Sequence, residues 1–197
     1  MKKLFLLALA LVSLAIPSAL CNTSFGNAVS FNDGWRFMAA DSAAMSLPEY
    51  PDSTWRQLTL PHDWSIEMLP APTLNSCTGY YPGGIGWYRK TFLTPDDGAA
   101  RHFIYFEGIY NRSEVYLNGH LLGSRPNGYV SFAYDMTPWL RPAGEPNTLA
   151  VRVDHSREAD SRWYTGSGIY RDVWLVSASE TRFDLWGIGW RADRITD

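Results

Sequence analysis

Ser113-Glu114-Val115-Tyr116-Leu117-Asn118-Gly119-His120-Leu121-Leu122-Gly123-Ser124 is the stretch on which the fold reading turns. Two short runs flank Asn118-Gly119, a dipeptide that accepts positive φ at both positions, as a two-residue type I′ hairpin requires. Strands are therefore predicted over Ser113–Leu117 and His120–Ser124. Just upstream, Arg101–Glu107 sends Phe103 and Tyr105 to one face and Ile104 and Phe106 to the other. Both faces are apolar, which marks a central strand covered by a second sheet on one side and by another segment on the other. Further strands are predicted over Phe31–Met38, Trp55–Leu60, Trp87–Leu93, Val130–Asp135, Thr148–His155 and Val173–Ser179. With turn residues between them, they describe an all-β sandwich. Asp135–Leu140 has room for one helical turn. The long connections 39–54 and 64–86, rich in Pro, Gly and small residues, read as functional loops. Thr181–Trp190 reads as the start of one more strand, carrying Phe183, Leu185 and Trp186.

Composition narrows the function classes. Of 197 residues, 17 are Lys or Arg and 20 are Asp or Glu, for a formal charge of −3. That balance argues against a nucleic-acid partner, which needs a concentrated basic surface. Hydrophobic residues at 46% describe a globular chain rather than a disordered one. Nine Trp, eleven Tyr and nine Phe supply rings for a β-rich core, for a binding face that stacks on sugars or bases, or for both. Cys21 and Cys77 are the only cysteines, too few for a disulfide framework or a Cys-based zinc site.

The N-terminus has the layout of a secretory signal peptide over residues 1–21. Met1-Lys2-Lys3 is positive, Leu4–Ile16 is apolar, and Pro17 and small residues follow. The apolar run rises only about 20 Å as a helix, short of a ~30 Å hydrocarbon core, so no transmembrane span is expected. Cleavage after Ala19-Leu20-Cys21 gives a periplasmic or secreted protein; the alternative is a lipid anchor at Cys21, before which Leu20 is a poor residue.

No complete active site is legible. His62, His102, His120 and His155 lie in four separate segments, so no metal site is expected. Ser167, in Gly166-Ser167-Gly168, has no triad pattern around it. Gly83-Gly84-Ile85-Gly86 does not join a strand to a helix N-terminus, which phosphate loops do. Asp63, Glu67, Asp154, Glu158 and Asp160 are candidate acids, but sequence alone sets no pair at the separation glycoside hydrolysis requires.

Six segments, in order, resemble family 2 glycoside hydrolases. They are Phe31-Asn32-Asp33-Gly34-Trp35-Arg36-Phe37, Leu60-Pro61-His62-Asp63-Trp64, and Gly83-Gly84-Ile85-Gly86-Trp87-Tyr88-Arg89-Lys90. Phe106-Glu107-Gly108 and the Val115–Gly119 hairpin follow, and then the run from Arg162-Trp163-Tyr164 through Gly166-Ser167-Gly168-Ile169-Tyr170-Arg171 to Leu175. The likeness spans nearly all of residues 22–180 and is strongest to bacterial β-galactosidases, less to β-glucuronidases or β-mannosidases. It implies a galactose-binding-like jelly-roll sugar-binding domain over 22–180. It also implies that 181–197 open a following immunoglobulin-like domain, since Phe183-Asp184-Leu185-Trp186 matches the family's next strand. A (β/α)₈ barrel with two glutamates would then carry out retaining, exo-acting hydrolysis of terminal β-galactosides. That barrel lies outside these residues, so this piece should be inactive alone and no catalytic residue or cofactor is expected in it.

The resemblance also implies site residues. In such galactosidases the jelly roll lends the barrel's pocket a carboxylate shortly before the Trp of the last motif. Here that points to Asp160, with Arg162, Trp163 and Tyr164 beside it. The carboxylate would accept hydrogen bonds from two sugar hydroxyls and a ring would pack on the sugar's apolar face. A looser match places Asn75, in the Asn75–Tyr81 loop, on the same rim. The plainer alternatives are a solvated Asp160 and a Trp163 that anchors its loop to the core. His62 and Asp63 read as structural, Asp63 capping the next turn. Asn118-Gly119, Gly166, Gly168 and Arg171 read as fold determinants, Arg171 as a charge buried near the sandwich end. Two rival functions remain: a free-standing carbohydrate-binding module, which needs an exposed aromatic platform, and an adhesion or assembly domain, which predicts no sugar affinity.

Overall fold

In the computed structural model, which describes residues 20–23, 25–157, 161 and 163–192, eleven strands form two antiparallel sheets. The five-stranded sheet runs β1(Leu20–Thr23), β2(Gly26–Ser30), β11(Val173–Ala178), β6(Arg101–Phe106), β9(Phe132–Asp135) in spatial order. The six-stranded sheet runs β4(Arg56–Leu58), β3(Trp35–Met38), β5(Gly84–Leu93), β10(Pro146–His155), β7(Ser113–Leu117), β8(His120–Arg125). Of the signal-peptide reading over 1–21, residues 1–19 lie outside the described residues, whereas Leu20 and Cys21, next to the expected cleavage point, begin β1 and pair with Val29 and Ala28.

The Asn118-Gly119 turn forms as read, with φ of 51° and 85°, between β7 and β8. Asn118 adds a second tie, donating from Nδ2 to the Asn147 Oδ1 at 2.8 Å and accepting the Thr148 amide at 2.9 Å. β6 is central, between β11 and β9. Its Ile104 and Phe106 enter the core between the sheets with Trp35, Tyr88, Leu117, Val151 and Phe132. Phe103 and Tyr105 face the opposite way, against Phe25, Val176 and Leu185. The short turn at Thr137–Trp139 is a 3-10 turn.

Three expectations need correction. Phe31–Met38 is not one strand: β2 ends at Ser30, β3 begins at Trp35, and each belongs to a different sheet. Gly34, at φ 70°, lets the chain cross between them. Asn32 staples that crossover to Asp172 and to the Val173 amide, and Lys90 Nζ donates to the carbonyls of Phe31 and Asp33. Burial of the Lys90 ammonium pulls its pKa down to about 8. Second, 181–190 forms no strand. The chain leaves β11, which is flanked on both sides, and meets no open sheet edge; instead Asp184–Gly187 closes a turn with Trp186 at φ 62°. Third, Arg171 is exposed, its guanidinium 5.2 Å from the Tyr170 ring. The buried arginine is Arg89, 1% exposed.

Arg89 explains the 39–54 connection, which is not a free loop. β5 turns Trp87 and Arg89 outward, and the connection folds back over that face with Met45 and Trp55 against Trp87 and Ala150. The Arg89 guanidinium donates to the carbonyls of Met45, Leu47, Pro48 and Tyr50 and, through Nε, to Asp52 Oδ2 at 2.9 Å. On the same face Arg152 holds Asp41 with two 2.8 Å hydrogen bonds. Hydrogen bonding from Arg152 holds the Asp41 carboxyl below its ordinary 3.8. A depressed carboxyl pKa stabilises the fold above the unfolded value and ceases to do so as pH falls through the folded one. Melting curves from pH 6 to pH 2 should therefore show Asp41→Asn about 2 °C less stable than the natural protein near neutrality, the gap closing below pH 3.8.

Candidate functional site

One end of the sandwich gathers loops from distant parts of the chain. The run 61–67, the connection 71–83, the turn 126–130 and the segment 163–170 meet around the C-terminal end of β10. Backbone bonds join the first and last: the His62 amide to the Ile169 carbonyl at 2.8 Å, and the Trp64 amide to the Ser167 carbonyl at 3.1 Å. Tyr110 and Gly168 exchange two more, each 2.9 Å.

Asp63 is the hub. Its Oδ1 accepts the Ser65 amide at 3.0 Å, the capping role expected of it, and also the Ser167 amide at 2.8 Å. Its Oδ2 accepts the Tyr164 hydroxyl. Burial first, and then the Asp63 carboxylate, raise the Tyr164 pKa, so this hydroxyl keeps its proton and remains a donor. The Tyr164 ring stands edge-on to Tyr81, centroids 5.4 Å apart.

Beneath this lies a buried polar chain that no local motif announced. Ser65 Oγ donates to the Pro82 carbonyl at 2.7 Å, Ser65 Oγ and Ser167 Oγ are 2.6 Å apart, and His155 Nδ1 lies 2.6 Å from Ser167 Oγ. A carbonyl only accepts, so the direction is set along the whole chain. The Ser167 hydroxyl gives its proton to Ser65, and His155 donates from Nδ1 to Ser167. The imidazole therefore withdraws no proton from Ser167, which is itself fully buried. This Ser–His contact is a brace, not a nucleophile with its base.

Each described candidate acid is engaged. Glu67 bonds to Arg56 and His62, and Asp154 to Ser156 with Arg152 Nη1 at 3.5 Å. His62 also lies 2.7 Å from the Tyr88 hydroxyl, and burial lowers its pKa. His102 is 3.1 Å from Asp97, and His120 stacks on Trp139 at the other end of the sandwich. Among the described residues no group of three His, Cys, Asp or Glu side chains could hold a metal ion.

Of the expected site residues, Asp160 and Arg162 lie outside the described residues, as does Glu158. Trp163 is described and does not anchor its loop in the core. It is 62% exposed, and its indole N–H donates to the Tyr129 hydroxyl at 3.0 Å. Tyr129, about half exposed, rests edge-on against Tyr110. Asn75 and Tyr81 line a cavity of about 120 Å³ that reaches His155 and Arg157. Exposed Trp163 and Tyr164 thus share one end of the sandwich with the Asn75 loop, though the sequence holds them some ninety residues apart. Tyr129 was missed: it sits in Pro126-Asn127-Gly128-Tyr129, which reads as an ordinary turn.

The sequence model of the glycosyl hydrolase 2 galactose-binding domain-like family matches residues 86–185. The chain belongs to that family. A β-galactosidase of Bacteroides ovatus is 49% identical over 160 residues, 80% of this chain but 19% of that protein. A β-glucuronidase of Formosa agariphila is 34% identical over 166 residues, 74% of this chain and 16% of its own length. Among solved structures, a β-glycosidase from Bacteroides vulgatus superposes with a TM-score of 0.72 at 49% identity, covering 77% of this chain and 20% of that one. The family 2 domain described here therefore spans about a fifth of the length of these relatives, in their N-terminal part. No helix among its described residues is long and apolar enough to cross a membrane.

Proposed function

We propose that this domain is the sugar-binding N-terminal part of a retaining exo-β-galactosidase and lends rim residues to a pocket completed by later domains. Asp160 accepts two galactose hydroxyls, Arg162 orients that carboxylate, and the faces of Trp163 and Tyr164 pack on the ring, with Asn75 across the rim. The observation that carries this reading is Trp163, exposed yet held by Tyr129 beside the Tyr164–Tyr81 pair. Unused surface apolarity of this kind, on rings fixed in place, suits the apolar face of a sugar.

Phe183, Trp186, Ile188 and Trp190 are all well exposed, Trp190 at 90%, which fits a chain that continues into a packed neighbouring domain. Export fits the Met1–Ile16 layout; N-terminal sequencing of protein recovered outside the cytoplasm, with a palmitate label, separates cleavage after Cys21 from lipidation of it. No cofactor is assigned to this piece.

The test uses the full-length polypeptide on nitrophenyl β-galactoside and β-glucuronide. Galactoside should be the better substrate, and Asp160→Asn should lower kcat/KM on it about a hundredfold, the loss of charged hydrogen bonds to two hydroxyls. Preference for the glucuronide would favour the second reading, a β-glucuronidase, for which Arg157 beside Asn75 offers a cation to the sugar's carboxylate. Unaltered turnover in Asp160→Asn would sink both.

A further inference from the structure

We propose that Asp63 is a positioning residue for sugar recognition, setting the placement of both rim loops although it need not touch the sugar. The proposal rests on the sugar-binding reading of those loops. A carboxylate has about four lone-pair sites, and three donors converge on this one: the amides of Ser65 and Ser167 and the hydroxyl of Tyr164. They come from both sides of the cleft end, more than a hundred residues apart in sequence.

The geometry gives each bond a different task. The Ser167 amide pins the C-terminal end of the segment that carries Trp163 and Tyr164. The Tyr164 hydroxyl fixes that side chain one residue after Trp163, so the backbone of the exposed indole is held from beneath. The Tyr164 ring, in turn, meets Tyr81 at the end of the Asn75 loop. Asp63 thus ties 61–67, 78–81 and 163–168 into one unit, and Gly166, at φ 72°, lies so near that a Cβ there would stand 2.6 Å from Oδ2. The buried Ser65–Ser167–His155 chain braces the same unit from the core side. Preorganisation of this kind is what lets a rim residue meet a substrate hydroxyl without an ordering cost at each encounter.

Three variants of the full-length polypeptide separate this role from a plain contribution to stability: Tyr164→Phe, Asp63→Asn and Asp63→Ala. Tyr164→Phe removes one hydroxyl and leaves both amide bonds to Asp63 intact. It should raise KM for the galactoside about fivefold with Tm nearly unchanged, and speed hydrogen exchange over 163–168. Asp63→Asn keeps an acceptor for the two amides and should fall between Tyr164→Phe and Asp63→Ala, which loses all three bonds and raises KM more than tenfold. Exchange over 163–168 that matches the natural protein in all three variants would overturn the positioning role. Faster exchange with KM unchanged would overturn it differently, by showing that the segment is held by Asp63 but does not face sugar.

Discussion

Arg89→Met should lower the melting temperature by about 10 °C, the largest loss expected from any single side chain on the outer face of the six-stranded sheet. Arg89 is buried and its five donor contacts converge on one short segment, the carbonyls of Met45, Leu47, Pro48 and Tyr50 and the Asp52 carboxylate. Methionine fills much the same volume, so the change isolates the lost polar contacts from a cavity. Four carbonyls would be left to find water beneath Met45 and Trp55, and Asp52 would keep only Arg36, 3.4 Å away and part exposed. Breaking such a buried arrangement by removing one partner costs about 3–5 kcal/mol. For a domain of this size each kcal/mol moves the melting temperature by roughly 2–4 °C. Arg89→Lys should recover little, because an ammonium has no planar fork to span four carbonyls and a carboxylate at once. Thermal melts of the three proteins, followed by the Trp87 and Trp55 environment in near-ultraviolet circular dichroism, check it. Equal melting of Arg89→Met and the natural protein would mean the 39–54 segment is held by its apolar contacts alone.

Arg89 also marks where sequence reading stops. Its identity is plain in Trp87-Tyr88-Arg89-Lys90, but its burial depends on carbonyls some forty residues upstream, and carbonyls leave no trace in a sequence. Without that information, the sequence reading places its buried charge at Arg171 instead. The hairpin was legible for the opposite reason: Asn118-Gly119 states its backbone requirement within two residues. The break inside Phe31–Met38 was hidden because apolar residues stand on both sides of Gly34, and a change of sheet does not alter a period of two. At the candidate site the family motifs named segments that the fold gathers at one end of the sandwich. The wiring between them was not legible: Asp63 bonds Tyr164 and Ser167 from over a hundred positions away, and Ser65, Ser167 and His155 share no local pattern. Trp163 could be read as a core anchor until its exposure and its bond to Tyr129 were seen together.

Gly168→Ala should cost about 4 kcal/mol and abolish the site, whereas Gly34→Ala should cost only about 1 kcal/mol. Both glycines have positive φ, 127° and 70°, so a comparison of the two separates backbone strain from collision. Around Gly34 an added Cβ meets nothing within 4 Å, and strain is the whole penalty. At Gly168 the Cβ would drive into the Tyr88 hydroxyl and stand 2.7 Å from the His62 carbonyl, and its φ is one that side chains scarcely tolerate. Relief is not available locally. Gly168 exchanges two backbone bonds with Tyr110, Tyr88 is fully buried and bonded to His62, and the His62 amide is held by Ile169. Moving the 166–169 backbone outward would pull the Ser167 amide from Asp63 and the Ser167 hydroxyl from Ser65 and His155. Denaturant titration of the two variants measures the energies, and galactoside turnover in the full-length polypeptide measures the site. Gly34→Ala should retain turnover at a slightly lower midpoint of unfolding. Gly168→Ala should lose turnover even in conditions where most of the protein is folded, because the backbone that must yield is the one from which the 163–166 segment, proposed to face sugar, departs.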